Sequence, residues 1–296
     1  MKFSRYFRAD VCVGTSFVGT VLLWLAVSPP AFGDDTLVPG DEFKDCPQCP
    51  VMVVVPSGET RIGTPPVDQG RPYSEGRRRE VRVNDPFAMG KFEVTFDEWD
   101  ACVNEGACAN AQDDGLGRGK RPVINISWTE ADAYTRWLKR KTGKTYRIPT
   151  EAEWEYSARA GADAERFFGL KKEDVCKFGN VYDETAQREL DFGWDHLPCD
   201  DGFAETAPAG SFSPNAFGLH DMLGNVWEWT LDCRVKLWQH APADTSPRLD
   251  GDCSERAFRG ASWVNHPPWY LRSGDRYKFV GARYNDLGFR VARDLK

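Results

Sequence analysis

The second half of this chain carries no sustained period. From Ala162 to Lys296 it is dense in Gly, Asn, Asp and aromatic residues, and no helical rhythm persists. Any strands there must be short. A segment of this kind argues against a helical bundle and for a fold built from turns and loops around a packed interior. The interior has material to work with: 11 Trp, 18 Phe and 41% hydrophobic residues give enough apolar surface to offset the entropy of ordering, which excludes disorder. The 27 Gly and 19 Pro fit many turns. No linker divides the chain after its first residues and no repeat of fixed period is found, so a single domain of about 240 residues is expected.

The formal charge of -7 excludes an electrostatically driven nucleic-acid binder, which needs clustered cations. The beginning of the chain reads as an address. Lys2, Arg5 and Arg8 precede the apolar run Val11–Val27, followed by Pro29, Pro30 and the small-residue site Ala31-Phe32-Gly33. This is the layout of a secretory signal peptide, with cleavage expected near Gly33 and no stable membrane insertion afterwards. The reading divides the chain into a signal (1–33), a lead-in containing a CxxC (34–50) and the folded domain (51–296), exported to a periplasm or secreted.

Of 9 Cys, Cys12 lies in the signal, leaving an even set that an exported protein turns to disulfides. Local spacing suggests Cys102–Cys108, Cys176–Cys199 and Cys233–Cys253, with Cys46 and Cys49 left over; sequence does not fix connectivity. The CPQC stretch reads as a structural staple rather than a redox pair or zinc half-site. No second CxxC or His pair completes a zinc site, and no thioredoxin-like βαβ pattern follows.

Regular structure is expected mainly before Gly161. Met52–Pro56 reads as a buried strand, residues 64–80 as a loop, and Val81–Phe92 as strand-like. Three helices are predicted to open on hydroxyl caps with a carboxylate three residues on: Thr95 with Glu98, Thr129 with Asp132, and Thr150 with Glu153. Gly106, Gly143 and Gly161 provide the stops. The second helix should turn Trp128, Ala133, Tyr134, Trp137 and Leu138 inward and Arg136, Lys139, Arg140 and Lys141 to solvent; the third should bury Trp154 and Ala158.

Five strings, in order, carry a family resemblance: RPVINISW (121–128), RIPTEAEWEYSARAG (147–161), NAFGLHDMLGNVWEW (215–229), FRGASW (258–263) and LGFRVAR (287–293). Together they resemble the formylglycine-generating enzyme family, also called sulfatase-modifying factors, from about Met52 to the end. The resemblance implies the α+β fold of that family, C-type-lectin-like and low in regular secondary structure, with a few helices and short strands.

It also implies calcium at two places. The first set comprises the side chains of Asn180 and Asp201 with the carbonyls of Val181 and Phe203. The second comprises the side chains of Asp221 and Glu228 with the carbonyls of Gly224 and Val226. Oxygen donors on irregular backbone suit Ca2+.

The catalytic pattern of the family is broken. Active members hold Cu(I) on two cysteine thiolates just after the G-x-S-W string and oxidise a substrate cysteine to formylglycine with O2; soft thiolates suit Cu(I). Here those positions fall on about Asn265 and Tyr270, and no cysteine follows Cys253. Copper is therefore not expected. Other branches include ergothioneine-type non-haem iron sulfoxide synthases and a periplasmic pyoverdine-maturation protein. The iron enzymes draw three histidines from a helical domain of which no pattern is found here. His196, His220, His240 and His266 are scattered and read as loop or surface residues. The exported pyoverdine-type branch fits better in compartment and length.

The equivalent cleft retains Trp227, Ser262, Trp263, Asn265, His266, Trp269, Tyr270, Arg272 and Arg276, aromatic walls with a few polar groups that suit a small-molecule, peptide or envelope-protein ligand. Two functions follow as expectations. One is an oxidoreductase-type modifier using chemistry other than copper. The other is a non-catalytic, calcium-stabilised binding module.

Overall fold

The computed structural model describes residues 37–63, 78–163, 167, 169, 172–234, 241–265, 277–280 and 283–296. The predicted signal peptide lies outside these residues. Asp34–Lys296 forms one compact unit.

Two sheets organise it. The first joins β1 (Glu42–Phe43), β2 (Met52–Val55), β5 (Phe87–Gly90), β11 (Ala292–Asp294) and β6 (Tyr146–Arg147), in that order. All its pairings are antiparallel, with Met89 facing both Val53 and Ala292. The run MVVV of β2 is buried throughout, as its unbroken apolar character requires of a strand covered on both faces. The second sheet runs β10 (Leu287–Gly288), β7 (Trp227–Arg234), β8 (Asp252–Arg259) and β9 (Tyr277–Val280), with β10 parallel to β7. A separate pair, β3 (Gly58–Ile62) and β4 (Arg79–Val83), flanks them. The strand-like stretch after Val81 thus resolves into two strands parted by Asn84–Pro86, and the loop expected to reach residue 80 gives way to β4 at Arg79.

Four α-helices are described: α1 (Phe96–Asn104), α2 (Trp128–Thr142), α3 (Glu151–Arg159) and α4 (Glu184–Leu190). The capping boxes of α1 (Thr95 with Glu98) and α3 (Thr150 with Glu153) form as predicted. That of α2 is corrected. Ser127, not Thr129, is the cap, and its partner is Glu130, whose Oε2 accepts from Ser127 N at 2.8 Å. Glycine closes α2 at Gly143, but the left-handed residue ending α3 is Ala160 (φ 45), with Gly161 following it. Helix α2 buries Ala131, Tyr134, Thr135, Trp137 and Leu138; Ala133 is only half-buried.

The four disulfides are Cys46–Cys49, Cys102–Cys108, Cys176–Cys199 and Cys233–Cys253. The CPQC pair is therefore bonded to itself. The core is aromatic. Trp99 stacks on Tyr134 at 5.7 Å, and Phe289 meets both edge-on. Helix α3 is buried along its whole length, charged residues included. Its acids are neutralised by arginines: Glu153 by Arg147, Glu155 by Arg159 and Arg259, Glu151 by Arg259. Burial of acids on this scale requires such pairing.

Candidate functional site

The segment Asp221–Glu228 is where the molecule's irregular parts meet. Asp221, Gly224 and Asn225 all take left-handed backbone, with φ of 55, 88 and 59. Non-glycine residues held this way are uncommon and concentrate where structure serves a site. The turn lies against residues 179–181 so tightly that side chains are excluded. A Cβ on Gly224 would fall 2.2 Å from the Asn180 carbonyl oxygen, and one on Gly179 would fall 1.8 Å from that of Leu223.

Asn225 sits at the centre, fully buried. Its Nδ2 donates to Glu93 Oε1 at 3.1 Å, while its Oδ1 accepts from Ala207 N at 2.9 Å and Asn180 Nδ2 at 3.2 Å. Three buried oxygens around this hub, Glu93 Oε2, Asp221 Oδ1 and Asn180 Oδ1, have no amide, amine or hydroxyl donor, while the protonated Glu93 carboxyl is within hydrogen-bond reach of Asp221. Burial pushes Asp221 up to about 6 and Glu93 well above the usual carboxylate range, with the charge of Asp221 adding to the effect on Glu93.

Of the first predicted calcium set, the segments of Val181 and Phe203 are joined through Asp201 by their amides. Asp201 accepts from Val181 N at 2.8 Å and from Phe203 N at 2.9 Å, which joins both of its segments. Its carboxyl is pushed up to about 7, first by burial and then by the neighbouring charge of Asp183. Asn180, with its donorless Oδ1, lies next to Val181. An oxygen-liganded cation fits this donor set. Cys176 Sγ also lies close to Asp183 and Asp201, but it is tied up in its disulfide and offers no thiolate.

The second set is split. Asp221 keeps one oxygen without an amide, amine or hydroxyl donor, while the other accepts from Gly210 N at 2.7 Å. Glu228 is committed elsewhere. Both its oxygens accept from Arg290 at 2.6 Å, and Oε2 also accepts from Trp154 Nε1 at 2.7 Å, with Arg290 and Glu228 both fully buried. A bidentate guanidinium already meets the charge of this carboxylate. Asp221 suits a cation; Glu228 as arranged does not.

At the cleft, Ser262, Trp263 and Trp227 are buried within 5% of full burial. Asn265 Oδ1 accepts from Ser262 N at 2.6 Å and lies 2.9 Å from Ser262 Oγ. That hydroxyl also reaches Asp286 Oδ2 at 2.8 Å. The Asp286 carboxyl is raised by burial, against the lowering effect of the Ser262 bond. Trp227 N donates to Asp286 O at 2.8 Å, and Trp263 N to Asn225 O at 2.9 Å, so the cleft loop is tied to the Asn225 hub. His266, Trp269, Tyr270, Arg272 and Arg276 lie outside the described residues, as does His240. His196 is exposed. His220 is half-buried, with Nδ1 2.7 Å from Phe212 O, and burial lowers it.

Four site residues escaped the sequence reading: Glu93, Asn225, Asp286 and Arg290. Asn225 and Arg290 stood inside recognised strings and Asp286 beside one, whereas Glu93 lay apart from all five. The signal for Glu93 was a lone carboxylate between Phe92 and Val94. Nothing in linear order pairs Arg290 with Glu228.

This fold and this turn, held through Glu228 to the buried Arg290, define a formylglycine-generating-enzyme-like domain. The family profile described as "Sulfatase-modifying factor enzyme 1-like domain" matches residues 39–295, and the chain belongs to that family. It is 32% identical over 195 residues to the formylglycine-generating enzyme of Streptomyces coelicolor, a match covering 62% of this chain and 56% of that enzyme. The chain thus spans little more than half of that relative. It is 30% identical over 268 residues to mouse "Inactive C-alpha-formylglycine-generating enzyme 2", covering 74% of this chain and 76% of the relative. The solved structure of PvdO from Pseudomonas aeruginosa superposes with a TM-score of 0.74 at 35% identity, over 87% of this chain and 99% of that one.

Proposed function

We propose that this protein is an exported member of the sulfatase-modifying-factor family that does not carry out copper-dependent oxidation of cysteine, and that its cleft binds a ligand instead. One observation carries the reading. Asn265 stands where the resemblance places the first copper thiolate, and its side chain accepts from Ser262 N and lies within hydrogen-bond reach of Ser262 Oγ. An amide used in this way closes the loop and supplies no soft donor for Cu(I). All eight cysteines after Cys12 are in disulfides, so none is free to replace it.

The likeness to an inactive relative over most of both chains supports the same reading. Four disulfides and the predicted signal sequence support export. Among the described residues no helix is long and apolar enough to cross a membrane.

Calcium belongs to the proposal as a stabiliser. Asn180 and Asp201 would supply side-chain oxygens at the first place, with the carbonyls of Val181 and Phe203. At the second, Asp221 would do so with the carbonyls of Gly224 and Val226, while Glu228 serves Arg290. Bound calcium supplies charge that satisfies oxygens left without donors. Metal analysis of the purified protein tests both halves. The expected result is calcium and no stoichiometric copper or iron. Stoichiometric copper retained through dialysis would refute the reading.

A further inference from the structure

Exposed large apolar side chains are few among the described residues, and two of them adjoin. Phe192 is 41% exposed and Trp194 42%, their rings 4.8 Å apart. Both lean on Tyr182, itself fully buried, at 5.6 and 5.7 Å. The pair is held in place rather than draped over the surface. Tyr182 Oη accepts from Phe192 N at 3.1 Å and donates to Gln187 Oε1 at 2.7 Å. Tyr182 O accepts from Leu197 N at 3.0 Å, and the Cys176–Cys199 disulfide anchors the far end of the loop.

The charge around this ledge is mainly negative. Glu189, Asp191, Asp195 and Asp200 are all exposed, and none of the four is in an ion pair among the described residues. His196 is the one basic side chain between positions 189 and 200. Neighbouring Arg188 donates to Thr185 Oγ1 at 2.7 Å. A cation is attracted both by the face of an exposed aromatic ring and by uncompensated carboxylates nearby. Charges spread over twelve residues suit an extended partner with several cations better than one small ion.

We propose that the Phe192–Trp194 ledge docks a basic peptide segment of a partner protein, with Lys or Arg side chains laid on the two rings and flanked by these carboxylates. The proposal does not rest on what the Ser262 cleft does.

The test is fluorescence anisotropy of a labelled Lys/Arg-rich peptide titrated with the full chain, against a Glu-rich peptide of equal length. Unlabelled spermidine serves as competitor. The expected result is saturable binding of the basic peptide alone, weakened by added salt. F192A/W194A and D191N/D195N should each weaken it about tenfold. Both pairs are surface changes that leave Tyr182 in place, and circular dichroism checks that each variant folds. Unchanged affinity in F192A/W194A would overturn the proposal, as would equal binding of the acidic peptide. Spermidine displacing the peptide at equal affinity would reassign the ledge to small polyamines. Dissociation of a dimer by F192A/W194A would show that a second copy covers it.

Discussion

At the scale of single residues, the molecule is governed by where its buried charges find partners. Arg290 and Glu228 are both fully buried and hydrogen-bonded bidentately, so removing one strands the other. Arg290→Met should cost about 3–5 kcal/mol in urea unfolding, and Glu228→Gln in the same chain should recover part of that loss. A cost no larger than that of a surface substitution would contradict the pairing. Asp201 and Asp221 give a pH signature. Their folded values, about 7 and about 6, stand above the ordinary 3.8, so in calcium-free protein the folded state holds protons that the unfolded state has released. Stability of the calcium-free form should therefore fall as pH rises from about 4 towards 7. Calcium should abolish the fall, and Asp201→Asn should shrink it; thermal melts across that range, with and without calcium, read both. A calcium-free form that gains stability over this window would contradict the assignment. The carboxylates of this cluster were partly visible in linear order, because Asp221 and Glu228 sit inside a recognised string. The division of labour between them was not. Glu228 is claimed by an arginine 62 positions away, a contact that no local pattern encodes.

At the scale of elements, caps and close approaches set the local geometry. The start of α2 carries two hydroxyls, Ser127 and Thr129, and two acids at the right spacing, Glu130 and Asp132. The structure chooses Ser127 with Glu130 because the longer acid reaches back to the cap's own N–H. Ser127→Ala should cost about 1 kcal/mol, and Thr129→Ala much less; equal losses would argue against this cap. Gly224→Ala should cost far more than an ordinary helix or turn change, since its Cβ would meet Asn180 O at 2.2 Å and its φ of 88 disfavours any side chain. Thermal unfolding of the variant checks this, and a melting temperature near that of the parent would refute the close approach. Helices α1, α2 and α3 were readable because their caps and apolar faces are local, whereas the seven-residue α4 was not read. The second half resisted reading for two reasons: β9, β10 and β11, of two to four residues, are too short to show alternation, whereas β7 and β8, at eight residues each, correct the expectation of short strands only, their pairing interrupted by register shifts and β8 passing from exposed to buried without alternating.

At the scale of the whole molecule, the first sheet ties the beginning of the domain to its end, with β2, β5 and β11 side by side. Strings far apart in sequence, LGFRVAR and the stretch around Glu93, are thereby brought to one hub. Their order identified the family, whereas their convergence needed the fold. The cysteines invert the usual expectation for this family: all eight after Cys12 are held in disulfides. The central claim is that the domain persists without the copper chemistry. It is tested most directly by incubating the purified protein, supplied with Cu(I) and O2, with a cysteine-containing sulfatase-motif peptide, and following the peptide by mass spectrometry with aldehyde trapping. The account predicts a peptide whose cysteine is recovered unconverted. Catalytic turnover to a trapped formylglycine aldehyde would contradict it.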